Sequence, residues 1–316
     1  MKQRSFLEYL LIAARGMGMG AADVIPGVSG GTIALVTGIY EELIHSIKSV
    51  NTEFLRILFT RGIRPAWAHI NGTFLVSLLA GIFISLITLA RGISFLLSNY
   101  PMLVWAFFFG LIVGSAIYVG RKISRWTLRA VLMLLGGTAL AYYITISSPA
   151  TSTDALWFVF VSGSIAISAM ILPGISGSFI LLLLGKYAFM MEALKDLKVV
   201  VLGVFGLGCV VGILGFSHVI SWLFKKHPNA TMALLSGFMI GSLNKLWPWK
   251  EVLEHRQNSH GEWLPFIERN ISPGRYQDLF QSDPMLWQVG LCALAGLALI
   301  FVFEWVAGRK TRDLNH

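Results

Sequence analysis

The sequence predicts an all-α polytopic membrane protein built from two inverted repeats, each with five hydrophobic segments. Hydrophobic residues make up 55% of the 316 residues and charged residues 13%, whereas soluble domains are about 45–50% apolar and about 25% charged. Several apolar stretches approach the roughly 20 residues that cross the hydrocarbon core as a helix. In addition, one turn-forming stretch occurs twice, as VIPGVSGG at 24–31 and as ILPGISGS at 171–178.

An internal duplication divides the chain into a first repeat, 1–147, and a second repeat, 154–312. Residues 25–48 match 172–195 at nine of 24 positions, and 93–115 match 220–242 at eight of 23. An odd number of segments per repeat inserts the second copy upside down, an architecture common among secondary transporters. The hydrophobic segments are 5–22, 32–47, 73–90, 102–120 and 129–146, then 155–172, 178–194, 199–223, 230–247 and 286–307.

The distribution of cationic residues predicts the orientation of the chain. With the N-terminus in the cytoplasm, the inner loops hold 14 of the 25 Lys and Arg residues, as the positive-inside rule requires. Both termini then face the cytoplasm, and the polar stretch 250–284 is an outward loop. We therefore attribute the net charge of +9 to membrane orientation and expect no nucleic-acid partner. The first apolar run contains Arg15 and is interpreted as a membrane segment, not as a cleaved signal peptide.

The repeated PGxSG motif predicts a break in a helix followed by the start of a new one. The new helix presents unpaired N–H groups and the positive end of its dipole. Irregular backbone at membrane depth is tolerated only where it is buried in protein or lines a wet cavity. We therefore expect one broken, re-entrant hairpin in each repeat and an anion or phosphate site where the repeats meet. Its candidate residues are Ser29, Gly30, Gly31, Thr32, Ser176, Gly177 and Ser178.

The motif has two other interpretations. Small residues at four-residue spacing often serve helix packing in membranes, and an isolated PGxSG would favour that reading. Both copies also satisfy the G-x-S-G of rhomboid-type proteases, but a serine nucleophile needs a base within hydrogen-bond reach. His218 is the one histidine inside an apolar run, and a single active site needs only one nucleophile. We expect no enzymatic activity, no cofactor and no metal.

Ionisable residues inside membrane segments are functional candidates by default. Arg91 and His218 occupy equivalent positions in the second block of the duplication and would suit an anionic headgroup approached from either side. Snorkelling to the nearer interface is the alternative for both. Arg15 and Lys186 are further cationic candidates for the headgroup site. The acidic candidates, which would carry protons coupled to transport, are Asp23, Glu41 and Glu42.

The stretches GAADVIPGVSGGTIALVTGIYEELI and ILPGISGSFILLLLGKY resemble the PopT-type polyprenyl-phosphate transporters, formerly a domain of unknown function. The resemblance covers nearly the whole chain. It implies a protein of the bacterial inner membrane that returns undecaprenyl phosphate from the outer to the cytoplasmic leaflet for the synthesis of peptidoglycan and other envelope polymers. Members of that family often have an acidic residue where this chain has Ala188, so the resemblance does not predict a second carboxylate equivalent to Glu41.

The expected partners are undecaprenyl phosphate, the lipid bilayer and possible further copies of the chain. Alternating exposure of the site to each leaflet would carry the headgroup across, coupled to protons or ions, while the prenyl tail stays in the bilayer. An anion channel or a transporter of a soluble anion remains the alternative, because chloride-type channels also combine inverted repeats with Ser-Gly helix starts.

Overall fold

The computed structural model describes residues 4–25, 27–150, 152–257 and 263–313, so Pro26 of the first motif lies outside the described residues. The chain is 78% helical and has 16 α-helices in the described part. In the part of the chain that the structure describes, four helices are long and apolar enough to cross a membrane, and two bent helix pairs raise the number of candidate spans to as many as six. The predicted multi-pass, mainly helical membrane protein is therefore confirmed.

The described residues of the first half form nine helices. They are α1 (Phe6–Asp23), α2 (Gly30–Val36), α3 (Tyr40–Lys48), α4 (Thr52–Arg61), α5 (Ile63–His69), α6 (Gly72–Thr88), α7 (Ala90–Asn99), α8 (Pro101–Arg121) and α9 (Leu128–Ile146).

The second half contains α10 (Leu156–Ile171), α11 (Gly177–Leu183), α12 (Tyr187–Lys195), α13 (Val199–Lys226), α14 (Pro228–Ser242), a 3₁₀ turn (Leu243–Leu246), β1 (Lys250–Gln257), β2 (Trp263–Asn270), α15 (Pro273–Phe280) and α16 (Leu286–Asp313).

Equivalent helices have equivalent packing partners, within a half for one pair and across the halves for the other. Helix α1 packs along α6 as α10 packs along α13, and α8 packs along α16 as α14 packs along α9. Glycines make these close approaches possible: a Cβ on Gly110 would clash with the carbonyl of Ala293, and one on Gly237 with the carbonyl of Leu134. Small residues at these positions therefore serve helix packing, as in other membrane bundles.

Each motif ends one helix and begins a helix of seven residues. Gly27 and Gly174, both at φ +83°, turn the chain at equivalent positions. A second pair of glycines with positive φ, Gly38 and Gly185, then ends each short helix. Because a left-handed residue after a helix stops its propagation, the segments treated as single units at 32–47 and 178–194 are each divided in two. The second break bends α12 by 108° relative to α11.

The stretch 250–284 is not the irregular loop that the sequence predicted. Strands β1 and β2 form an antiparallel hairpin, and together with α15 they make up what we call the hairpin lobe. Two indoles fix the lobe: Trp247 Nε1 donates to the carbonyl of Ile271 at 2.8 Å, and Trp249 Nε1 donates to the carbonyl of Pro284 at 2.9 Å. Helices α4 and α5, which hydropathy also did not predict, are short and expose much of their surface.

Candidate functional site

The two motifs contact each other directly at the centre of the molecule. The hydroxyl of Ser29 donates to the carbonyl of Met170 at 2.9 Å, and the backbone N–H of Gly174 donates to the hydroxyl of Thr32 at 3.1 Å. Gly31 lies so close to the carbonyl of Ile171 that any Cβ there would clash. Ser29 and Thr32 are fully buried. The hydroxyls of Ser29 and Thr32 therefore join the two motifs.

At the first motif, every N–H group that opens α2 has an acceptor within the chain. Gly30 N donates to the carboxylate of Asp23 at 2.7 Å, and Gly31 N donates to the hydroxyl of Ser29 at 3.0 Å. Thr32 N donates to the carbonyl of Ser29 at 2.9 Å. The chain thus supplies its own anion, the Asp23 carboxylate, to the positive end of this helix.

The second motif has a different arrangement at the start of α11. The hydroxyls of Ser176 and Ser178 lie 2.7 Å apart. Among the described residues no group accepts a hydrogen bond from the N–H of Gly177, Ser178 or Phe179. The cause is in the sequence, because Met170 stands where the duplication would place a counterpart of Asp23. Ser178 is exposed, whereas Ser176 is buried.

Lys245, in the 3₁₀ turn that follows α14, lies between the two motifs. Its Cγ is 2.8 Å from the point that a Cβ on Gly27 would occupy, and its Nζ lies 5.2 Å from the ring centroid of Phe179. The ammonium group also binds Glu268 Oε2 at 2.9 Å. Sequence reasoning missed this residue, although a lysine inside the predicted segment 230–247 was a usable signal.

A cavity of about 310 Å³ opens beside Lys245. The end of α9, helix α11, the 3₁₀ turn and the two strands form its walls. One wall is apolar, with Phe179, Leu182 and Leu183, and the opposite wall carries cationic groups from the turn and the hairpin lobe. Its volume is at the lower end of the range typical of small-molecule pockets.

The cationic wall is built around Lys250, whose side chain is only 7% exposed. Its Nζ binds Glu268 Oε2 at 3.2 Å and lies 3.9 Å from the ring centroid of Trp105. Burial lowers the pKa of Lys250 to about 8, against the opposing attraction of Glu268. Burial alone would raise the pKa of Glu268, but the ammonium groups of Lys250 and Lys245 outweigh it and lower that pKa.

Arg15 and the two glutamates lie away from this cavity. Arg4 grips Glu42 with two hydrogen bonds of 2.6 and 2.7 Å, and Asn71 Nδ2 donates to the same carboxylate at 2.7 Å. The half-buried Arg15 interacts electrostatically with Glu42. Glu41 is exposed on α3. The carboxylate of Glu42 thus forms an ion pair with Arg4, whereas that of Asp23 accepts a hydrogen bond from the first N–H group of α2.

The remaining predicted cations are not brought to the motifs. Lys186 is 1% exposed and binds Asp154 at 2.5 Å and the carbonyl of Ser152 at 3.3 Å, which ties the α11–α12 break to the residues before α10. Arg91 is exposed at the start of α7. His218 is exposed on α13 and its Nδ1 lies 2.8 Å from the carbonyl of Leu214.

Comparison with known proteins gives a consistent result. A family model described as undecaprenyl phosphate translocase-like matches residues 19–264. The "Polyprenyl-phosphate transporter" of Vibrio cholerae serotype O1 is 46% identical over 299 residues, which cover 94% of this chain and 97% of the relative. The "Polyprenyl-phosphate transporter" of Staphylococcus aureus is 34% identical over 253 residues, covering 74% and 84%. No solved structure matches the chain. The chain therefore belongs to the undecaprenyl phosphate translocase-like family.

Proposed function

We propose that this protein is a polyprenyl-phosphate transporter that returns undecaprenyl phosphate from the outer to the cytoplasmic leaflet of the bacterial inner membrane. The names of both curated relatives and the description of the family support this function. A carrier lipid returned in this way becomes available again for the synthesis of envelope polymers. The protein carries out no covalent chemistry on the lipid and is not an enzyme.

The proposed architecture is a pair of inverted repeats with both termini in the cytoplasm. Equivalent helix pairs in the two halves support the repeat, as do the matched turns at Gly27 and Gly174 and at Gly38 and Gly185. The excess of Lys and Arg in the inner loops supports the orientation. In this frame α10, α11 and the hairpin lobe belong to the outward side, and α1, α2 and α3 to the cytoplasmic side.

The difference between the two motifs carries the proposed headgroup site. At the first motif Asp23 accepts the hydrogen bond of Gly30 N, while the N–H groups that open α11 have no acceptor among the described residues. A phosphate at α11 would accept these N–H groups and the hydroxyls of Ser176 and Ser178. Lys245, beside Phe179, would supply a full positive charge. The prenyl tail would stay among the lipids.

Asp23 is the proposed coupling residue. Its carboxylate occupies the position at the first motif that the headgroup would take when the site faces the cytoplasm. Protonation would remove the negative charge from Asp23 and weaken its hold on Gly30 N, so proton binding and headgroup binding at this motif would favour each other. Glu42 is a weaker candidate because Arg4 neutralises it. The roles of Glu41, Arg15, Arg91 and His218 remain predictions.

We infer that the described conformation is open toward the outward side. Helix α3 packs against α13 of the other half, with Lys48 Nζ donating to the hydroxyl of Ser221 at 3.2 Å, whereas α12 does not pack comparably against α6. If the repeats are inverted, the closed contact lies on the cytoplasmic side. Exchange of these two contacts would expose the headgroup site to the other leaflet, as in alternating access.

The deciding experiment measures flipping of a short polyprenyl phosphate in proteoliposomes, read out as the fraction of headgroups that an added, membrane-impermeant phosphatase can reach. We expect fast exchange with the wild type and slow exchange with Lys245→Gln. Lys198→Gln serves as a matched control, because Lys198 forms ion pairs with Glu192 and Asp196 outside the cavity.

The same vesicles also test the alternative function, transport of a soluble anion. Release of entrapped phosphate or chloride, with no movement of the polyprenyl phosphate, would replace the proposed lipid transport by anion transport. Lipid exchange by wild type and Lys245→Gln alike would keep the function and remove Lys245 from the headgroup site.

A further inference from the structure

We propose that the cavity between α11 and the hairpin lobe is a capture site for a phosphate monoester, in which Lys245 and Lys250 bind the phosphate and Glu268 is the internal anion that it displaces. The inference rests on the proposed function and deepens it, because it places a binding step before the headgroup reaches the second motif.

The charge balance of the cavity favours a bound anion. Lys245 and Lys250 share one oxygen of Glu268, at 2.9 and 3.2 Å. Arg269 is the third cation of the lining, and it forms its ion pair with Glu251 at 2.7 Å. Among the described residues, two ammonium groups therefore share a single carboxylate, which leaves one uncompensated positive charge in a largely buried place. Burying an uncompensated charge is costly, and a dianion that displaced Glu268 would balance both ammonium groups.

Lys250 is held in place by its surroundings and is not a solvent-exposed surface lysine. The stem of Lys250 is enclosed, and its ammonium lies over the ring of Trp105 on α8. The aromatic ring and the carboxylate together attract the ammonium group and so fix the orientation of the lysine side chain. The lobe thus presents Nζ of Lys250 to the same carboxylate oxygen as Nζ of Lys245, which comes from the helical part of the chain.

The remaining walls suit a phosphate attached to an isoprenoid chain. Asn244 and Ser147 add neutral polar groups to the lining, while Phe179, Leu182 and Leu183 provide an apolar face along α11. Phe179 also belongs to the turn of α11 that carries the free N–H groups. A phosphate released from the two lysines would therefore be adjacent to the proposed site at the second motif.

The carboxylate of Glu268 occupies the place that the phosphate would take, because it is an anion bound to both ammonium groups. This side chain is 18% exposed and occupies the space between the ammonium groups. A phosphate monoester carries more charge and more acceptor oxygens than a carboxylate, and charge-assisted hydrogen bonds are the stronger ones. The phosphate can therefore displace Glu268 from both lysines, and substitution of Glu268 by a neutral residue should facilitate binding.

The test is equilibrium binding of farnesyl phosphate to the purified full-length protein in detergent micelles, measured by calorimetry, with farnesol and inorganic phosphate as parallel probes. We expect farnesyl phosphate to bind and farnesol not to bind. Lys250→Gln should weaken binding by about tenfold or more, because it removes a hydrogen bond between charged groups. Glu268→Gln should tighten binding, a change that a misfolded variant would not produce. Lys198→Gln should bind as the wild type does.

Two comparisons give the outcomes their meaning. Tighter binding of farnesyl phosphate than of inorganic phosphate would assign the site to a lipid headgroup, and equal affinities would assign it to free phosphate. Unchanged binding in both Lys250→Gln and Glu268→Gln would overturn the capture site. If these two variants bind normally while the wild type still flips polyprenyl phosphate, only the capture site fails. If the wild type neither binds nor flips it, the proposed function fails as well.

Discussion

The carboxylate of Asp23 accepts a hydrogen bond of 2.7 Å from the backbone N–H of Gly30. The bond joins two residues that are seven positions apart, one just before the first PGxSG motif and one within it. At the equivalent place in the second motif the chain has Met170, and the start of α11 has no such acceptor among the described residues. The two copies of the motif thus differ: a side chain neutralises the first, while the start of α11 has no such acceptor among the described residues, which supports the proposed headgroup site there.

Neutralisation of Asp23 should uncouple transport from pH. In Asp23→Asn the amide oxygen can still accept the hydrogen bond of Gly30 N, so the hairpin should fold, but the group no longer takes up a proton. We expect the flipping rate of the wild type to change with pH and that of Asp23→Asn to stay flat. Glu53→Gln, on the exposed helix α4, is the control. A pH profile of Asp23→Asn that matches the wild type would reject Asp23 as the coupling group.

A carboxylate introduced at position 170 should block the second motif. By the duplication, Asp in Met170→Asp would lie where Asp23 lies in the first repeat and would accept the N–H of Gly177. We expect loss of flipping with Met170→Asp and near-normal flipping with Met170→Leu, since only the backbone carbonyl of Met170 is used by Ser29. The measurement is the same vesicle assay. Normal flipping by a well-folded Met170→Asp would show that the N–H groups of α11 do not bind the headgroup.

Binding of phosphate in the cavity should fall as the pH rises through about 8. Burial lowers the pKa of Lys250 to about 8, so above this pH the free protein loses one of the charges that attract the anion. The charged groups that face Lys250 are Glu268 on β2 and Lys245 on the 3₁₀ turn. We expect farnesyl phosphate to bind the wild type more weakly at pH 9 than at pH 7, and Lys250→Gln to show a smaller decrease. Equal decreases in both proteins would assign the titration to another group.

The pKa of Lys250 also has a consequence for stability. Because the folded state lowers this pKa below 10.5, the unfolded chain binds more protons between about pH 8 and that value, and this residue makes folding more favourable as the pH rises through the window. The free energy of unfolding of the wild type should therefore rise relative to that of Lys250→Gln over the same range. Parallel stability curves for the two proteins would contradict the assignment.

Removal of the Tyr40 hydroxyl should stabilise the protein. Tyr40, the first residue of α3, is fully buried, and its ring centroid lies 6.0 Å from that of Phe224 on α13. No described residue forms a hydrogen bond with its hydroxyl. A buried, unsatisfied polar group costs about 1–3 kcal/mol, so Tyr40→Phe should raise the free energy of unfolding by up to about this amount. Tyr40→Ala, which creates a cavity, should lower it by about 3–5 kcal/mol. Reversible denaturation in detergent measures both, and a destabilised Tyr40→Phe would indicate a hidden partner.

Local sequence chemistry determined much of the fold. Long apolar runs identify membrane helices because the bilayer core demands about 20 apolar residues, and α8, α9, α13 and α16 follow that prediction. Glycine after proline identifies the helix breaks because few other residues adopt a positive φ. The resemblance carried by the repeated motif identified the family, since these residues are recognisable without any knowledge of their neighbours.

Other features depended on which elements pack together. Hydropathy did not reveal β1 and β2, because their pairing is a contact between two strands and gives no long apolar run. Lys245, Lys250 and Glu268 are separated along the chain and become a cluster only when the hairpin lobe folds onto α8 and the 3₁₀ turn. Arg91 and His218 were predicted from repeat symmetry; both are exposed, and their role in the headgroup site stays a prediction.

The sequence by itself determined a multi-pass helical membrane protein with two equivalent helix breaks, because breaks and spans are properties of contiguous residues. Only the tertiary structure decided that the hydroxyls of Ser29 and Thr32 join the two motifs, and that Asp23 neutralises the first motif while the second lacks such a partner among the described residues. The reason is physical: a hydrogen-bond donor becomes available to a ligand only where no neighbouring group of the chain accepts it, and neighbours are set by packing.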